Sequence, residues 1–315
     1  MAIPSDTDME LYCSNKKALI RTMCRTSQWS GVTEGEITDW LYHNFKETKG
    51  RYFAIKILLH ALYYSEANLI ELLKDGIYSK IFGDRLKTKL INDGNIYHPR
   101  SEMESIINGC IAETLFIPLL DSNSPSESGN SMIRYLTHKT GMSPVNAEFH
   151  FKVDLAKLDK YKYIVIVDDC LGSGQQIYDF WNTNSAIGDI KKEAQSRGIE
   201  IFYLILIGNE DALLDLQLNG DLQGLKVRIC EKLSSDNRVF EVSNNIWNGD
   251  QEEMDEAIKY LDQIEAVYQV PRKGYNELDF AVFIHNTTPD WSLPIFWKQN
   301  SDWKPLFKRK NSANV

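Results

Sequence analysis

The stretch from Tyr163 to Ile177 reads Tyr-Ile-Val-Ile-Val-Asp-Asp-Cys-Leu-Gly-Ser-Gly-Gln-Gln-Ile. Its branched apolar residues do not alternate with polar ones. The run therefore reads as a strand buried on both faces, and such a strand belongs in a parallel sheet covered by helices. Two carboxylates close the run, and a small-residue loop then opens a helix. The same scheme recurs along the chain. Short apolar runs at 114–120, 162–169, 199–208 and 225–230 alternate with helical stretches at 132–139, 175–182 and 211–218. Strands separated by helices predict crossover units and a mostly parallel sheet. An acidic helix over 252–268 precedes a further apolar run at 280–286, which could supply one more strand.

Before residue 94 the pattern differs. From residue 17 onward apolar residues recur at helical spacing, which predicts a bundle of amphipathic helices. Thr33 and Glu36 have the spacing of a capping box, and Gly50 and Gly76 sit where helices could stop. The polar stretch 92–101, with Gly94 and Pro99, is the candidate boundary, giving a helical domain over 1–100 and an α/β domain with a C-terminal extension over 101–315. No apolar run approaches the ~20 residues of a membrane-spanning helix. The first residues lack the basic start and apolar stretch of an export signal, so a cytoplasmic protein is expected. The five cysteines are widely spaced without a C-x-x-C pair, which favours reduced, mostly buried thiols over a zinc site. The six histidines are scattered, without ligand spacing. A net charge of -9 disfavours a whole-protein embrace of nucleic acid but leaves local patches open.

The chemistry concentrates at 163–177. In open parallel sheets ligands bind at the carboxyl edge, where Asp168 and Asp169 stand. Gly172, Ser173 and Gly174 let successive backbone N–H groups turn inward, and the following helix adds its positive end, which makes a phosphate cradle. Carboxylates would repel a pyrophosphate but can accept hydrogen bonds from ribose hydroxyls. A ribose 5-phosphate suits both halves. The plainer alternative is an ordinary strand and turn with a solvated Asp pair.

This stretch resembles the 5-phosphoribosyl-diphosphate (PRPP) motif of type I phosphoribosyltransferases. The resemblance implies ribose hydroxyls on Asp168 and Asp169, the 5-phosphate on the loop Gly172, Ser173, Gly174, Gln175 and Gln176, and Mg2+ accompanying the diphosphate beside Asp168 and Asp169. It implies an α/β fold with a parallel-sheet type I phosphoribosyltransferase-like core behind an N-terminal helical domain. Residues 114–136 fit the same picture as a strand, a polar loop and a helix. In that family this loop commonly binds the diphosphate, for which Ser126, Ser128, Asn130 and Ser131 offer donors and Arg134 a positive charge. A plain surface loop with a helix cap is the alternative.

The end of the chain, with Asn286, Thr287, Thr288, Pro289, Pro294 and Trp297, together with the 124–130 loop, is similar to phosphoribosyltransferase-like proteins of bacterial conflict and anti-phage loci, some beside reverse transcriptases. That likeness implies an effector or accessory component of an antiviral system. The three patches span about residues 112–307. Departures accompany them. Gly172 stands where many purine-type relatives carry an acid, Gln175 and Gln176 replace the customary Lys or Thr, and the 143–161 interval is short for the hood that shields PRPP from water. These departures weigh against salvage-type transfer and favour a second reading, a catalytically inert sensor contacting a partner protein or a reverse transcriptase–nucleic acid complex.

Other signals are weaker. Gly172-x-Gly174 is part of a dinucleotide fingerprint whose last glycine is missing. Trp291, Trp297 and Trp303 among Lys298, Lys304, Lys308, Arg309 and Lys310 could stack bases, although such tails more often pack on a core. The basic run Lys80, Arg85, Lys87 and Lys89 reads as a solvated face or a docking surface.

Overall fold

Ser5 starts the first helix with a reciprocal cap: the Asp8 N–H donates to the Ser5 hydroxyl, and the Ser5 N–H donates to the Asp8 carboxylate. This begins α1 (Asp6–Arg25), followed by α2 (Glu34–Asn44) and α3 (Thr48–Leu58). The expected Thr33–Glu36 capping box opens α2. Gly50 does not end a helix. It lies in the first turn of α3, where an added Cβ would meet the Tyr260 hydroxyl at 2.2 Å, so its role is close approach. The helical run is then interrupted by a short strand, β1 (Leu62–Tyr64). The computed structural model describes residues 3–92, 98–120, 128–142, 145–307 and 309.

Two compact units are present: Asn68–Leu233, and Met1–Ala67 together with Ser234–Val315. Compactness thus divides the chain differently from composition, because the helices after residue 67 pack with the sheet and the last segment of the chain packs with the first. The continuous unit begins at Asn68, inside α4 (Glu66–Asp75), and goes on through a π-helical turn over Gly76–Ile81, α5 (Gly83–Asn92) and α6 (Arg100–Ala112). Then come β2 (Thr114–Pro118), α7 (Ser128–His138), β3 (Asn146–Ala147), β4 (Tyr163–Leu171), α8 (Gln175–Asn182), α9 (Ser185–Ser196), β5 (Glu200–Asn209), α10 (Glu210–Leu218) and β6 (Lys226–Leu233).

The strands form one parallel sheet in the order β3-β2-β4-β5-β6, the predicted α/β arrangement. Ile164, Ile166, Tyr203 and Ile205 pack on one face with Ile177, Phe180, Ile190 and Leu216 of the crossover helices. The π-helical turn approaches the strands too. A Cβ on Gly76 would lie 2.8 Å from both Cys230 Sγ and Leu204 Cδ1, so this glycine also permits contact instead of stopping a helix.

The discontinuous unit is completed by α11 (Gln251–Tyr268) and β7 (Val282–Ile284). The run at 280–286 is therefore a strand, but it pairs parallel with β1 in a separate two-stranded sheet. The core of this unit is aromatic: Trp40, Phe45, Phe53, Trp247, Phe296 and Trp303 are buried. Trp291 and Trp303 pack inward, while half-buried Trp297 donates its indole N–H to the Ser292 carbonyl at 2.8 Å beneath the Arg309 guanidinium. Inside this unit Lys56 and Glu253 form a buried ion pair, and the Tyr52 hydroxyl donates to the same carboxylate. The five cysteines are free thiols, and among the described residues no helix is long and apolar enough to cross a membrane.

Candidate functional site

β4 continues past the predicted strand end to Leu171, so both acids are strand residues. Asp168 is 5% exposed and Asp169 4%. Successive strand side chains leave on opposite faces, and the two carboxylates therefore do not converge on one point. Asp168 shares its face with Ile164 and Ile166. Across the ladder, Tyr203 on β5 is in register with Ile166 and donates its hydroxyl hydrogen to Asp168 Oδ2 at 2.5 Å. Asp169 Oδ1 accepts the Cys170 N–H at 3.0 Å.

Burial first, then the negative charge of Asp168 and the hydrogen bond to it, push the Tyr203 phenol well above its ordinary value of 10.0. Tyr203 is thus a permanent donor to the carboxylate. A raised folded-state value contributes stability that is complete below the unfolded value and is lost as the pH rises past it. For Tyr203 that loss begins near pH 10 at about 1.4 kcal/mol per pH unit. We expect Tyr203→Phe to flatten the alkaline limb of the stability curve while costing about 1.5–3 kcal/mol at neutral pH, the worth of a hydrogen bond to a charged group. Denaturant titrations at stepped pH check both; an unchanged alkaline limb refutes the assignment.

After Leu171 the loop is fixed from two sides. The buried Asn209, at the carboxyl end of β5, donates from Nδ2 to the Gly172 carbonyl at 3.2 Å. Gly174 has φ +83° and caps α8, and an added Cβ would meet Leu216 Cδ1 at 2.6 Å, so both conformation and space require glycine. Ser173 Oγ accepts the Gln175 N–H at 3.4 Å. Gln175 is exposed and donates to Asp179 at 3.0 Å, while Gln176 is half-buried. The loop presents a helix start and amides without a cationic side chain.

Sheet order identifies what lies beside this loop. β2 and β4 are neighbours, with Pro118 paired to Val167, yet the chain leaves β2 toward β3 on one side and returns to β4 on the other. This reversal is the switch point at which open α/β sheets form their ligand crevice. The loop after β2, including Ser126, lies outside the described residues, as does the side chain of Ser128, which opens α7. Gly129 brings the first turn of α7 onto the end of β2, since a Cβ there would lie 2.3 Å from the Leu119 carbonyl oxygen. Asn130 and Ser131 are half-buried, and Arg134 is exposed one turn further, its guanidinium 5.4 Å from the Tyr135 ring centroid.

The two segments flagged in the sequence thus flank adjacent strand ends. Sequence reasoning missed Tyr203 and Asn209. The available signal was a phenol inside an otherwise apolar run at 201–207 and an amide at the carboxyl end of the strand. As to a metal, no group of three or more His, Cys, Asp or Glu suited to an ion exists among the described residues. Divergent Asp168 and Asp169 suit Mg2+ only as an ion carried largely by ligand phosphate oxygens, as this cation usually is.

A protein-family model, PRTase-CE, matches residues 37–309. No curated protein and no solved structure matches the chain.

Proposed function

The chain belongs to the PRTase-CE family and is a phosphoribosyltransferase-like protein, and on that premise we propose that it binds a ribose 5-phosphate ligand, PRPP in the first instance, across the carboxyl ends of β2 and β4. The observation that carries this reading is the adjacency of β2 and β4, with their carboxyl ends side by side, at the switch point of the sheet. In it one ribose hydroxyl donates to each of Asp168 and Asp169, which leave β4 on opposite faces, with the sugar lying across the strand's carboxyl end, and the 5-phosphate rests on the amides from Gly172 to Gln176 at the start of α8. The diphosphate meets Ser128, Asn130 and Arg134 on α7, and Mg2+ held with it beside Asp168 and Asp169 would offset its charge. In transfer, a nucleophile would bond to the anomeric carbon as the bond to diphosphate breaks, the electron pair leaving on the diphosphate. The residues of this chain would then hold the ribose and stabilise the developing charge. The biological setting we propose is bacterial antiviral defence, as effector or accessory component, which rests on the likeness of the 280–307 segment.

Asp168→Asn with Asp169→Asn is expected to abolish PRPP binding in calorimetry with Mg2+ present. An asparagine at 168 still accepts from Tyr203, so folding should survive, as circular dichroism would report. Unchanged affinity removes this site. The Tyr203–Asp168 bond and the uncharged loop also favour the second reading, a subunit that retains the pocket without transfer and contacts a partner protein or a reverse transcriptase–nucleic acid complex. Steady diphosphate release from PRPP with a panel of bases would eliminate it.

A further inference from the structure

At the opposite edge of the same sheet lies a cavity of about 910 Å³, within the size range of small-molecule sites. Its floor is the amino-terminal part of β5 and β6, with Glu200, Phe202, Lys226 and Arg228, and its walls are α5 and α6. It is separate from the carboxyl-edge site, because parallel strands place all their amino ends on the other side of the sheet.

Arg85, Lys89, Lys226 and Arg228 line it with Asp84, Glu113 and Glu200, a small positive excess in a protein whose net charge is -9. Arg85 and Lys226 both pair with one carboxylate, that of Glu200, so two cations converge on a single oxyanion. Arg228 gives its guanidinium hydrogens to the carbonyls of Lys80, at 2.8 Å, and Val227, at 3.0 Å, which fixes the side chain without cancelling its charge. Lys89 adds a fourth cation from α5. Glu113, a lining acid, is already paired with Lys162. Half-buried Ile106 adds an aliphatic patch to the wall, while Phe202 is buried with Lys226 and Arg228 over its ring. The Arg85 guanidinium lies 4.4 Å from the Tyr163 ring centroid, which holds it in place.

We propose that this amino-edge cavity is a second ligand site, for a mononucleotide. Its phosphates are bound by Arg85, Lys89, Lys226 and Arg228, and its base lies against the half-buried Ile106 of α6. With Glu113 taken by Lys162 and Glu200 shared by Arg85 and Lys226, the four cations of the lining outnumber Glu200 and Asp84 by two, which favours an anion, and the volume exceeds what a bare phosphate fills. The assignment stands apart from ribose-phosphate binding at the carboxyl edge, so either can fail alone.

The test uses the full chain with ATP, AMP and inorganic tripolyphosphate, read by calorimetry and by alkylation of Cys110, a half-buried thiol lining the cavity. Expected are saturable ATP binding, weaker tripolyphosphate binding, and slowed alkylation of Cys110 but not of Cys24. Lys89→Glu with Lys226→Glu should weaken ATP by about tenfold or more. Asp168→Asn with Asp169→Asn should leave it unchanged. Should the charge reversal unfold the chain, Cys110 protection in the unaltered protein decides. Absence of both heat and protection overturns the proposal. So does affinity indifferent to the charge reversal, loss in the aspartate variant, or equal binding of tripolyphosphate and ATP.

Discussion

Lys56→Ala is expected to lower the unfolding free energy by about 3–5 kcal/mol, the usual cost of removing one partner from a buried ion pair. The reason is the site it leaves behind. Glu253 is 6% exposed, occupies the third position of α11, and takes both the Lys56 ammonium and the Tyr52 hydroxyl hydrogen. With Lys56 gone, the carboxylate retains the phenol but has lost its charge partner in a place water barely reaches. The ammonium also lies 5.2 Å from the Trp247 ring centroid, so tryptophan emission reports the change directly. A urea midpoint within error of the parent protein would show that the pair is solvated in solution.

Trp40→Ala should cost a similar amount, about 3–5 kcal/mol, by a different route. Trp40 is fully buried, stacked on Phe296 at 5.2 Å and edge-on to Phe45 at 5.1 Å. Its indole N–H donates to the Ile295 carbonyl at 3.2 Å, but Trp303 donates to the same oxygen at 3.0 Å. Removing Trp40 thus leaves that acceptor satisfied, and the loss is one of packing and cavity formation. Trp40→Phe, which keeps a ring against Phe296, should recover more than half of the loss. Equal destabilisation by the two substitutions in denaturant titrations would instead assign the effect to the indole hydrogen bond.

The strands of the main sheet were legible wherever both faces are covered, because a run such as Ile201–Ile207 has no polar alternation to confuse its reading. β3 was not legible: Asn146 and Ala147 form no apolar run and pair only through their backbone with Leu115 and Phe116. β1 was hidden for the opposite reason, since Leu62, Tyr63 and Tyr64 continue a dense apolar stretch whose spacing also suits a helix. Its partner lies at 282–284, so no local pattern could announce the pairing or the unit built on it. At the candidate site the turn at 172–174 was legible from its small residues. Tyr203 as the neighbour of Asp168 depends on the register of β4 against β5, which the tertiary fold sets.

The insertion of Asn68–Leu233 between the two pieces of the other unit carries a kinetic corollary. A ribosome delivers α1 to α3 long before their partners in α11 and β7 exist, so these helices must wait with the surfaces of Trp40 and Phe53 unmatched. The inserted segment is contiguous and can complete its own sheet meanwhile. Doing so shortens the loop that must close before Leu62 meets Val282, reducing the entropy that closure costs.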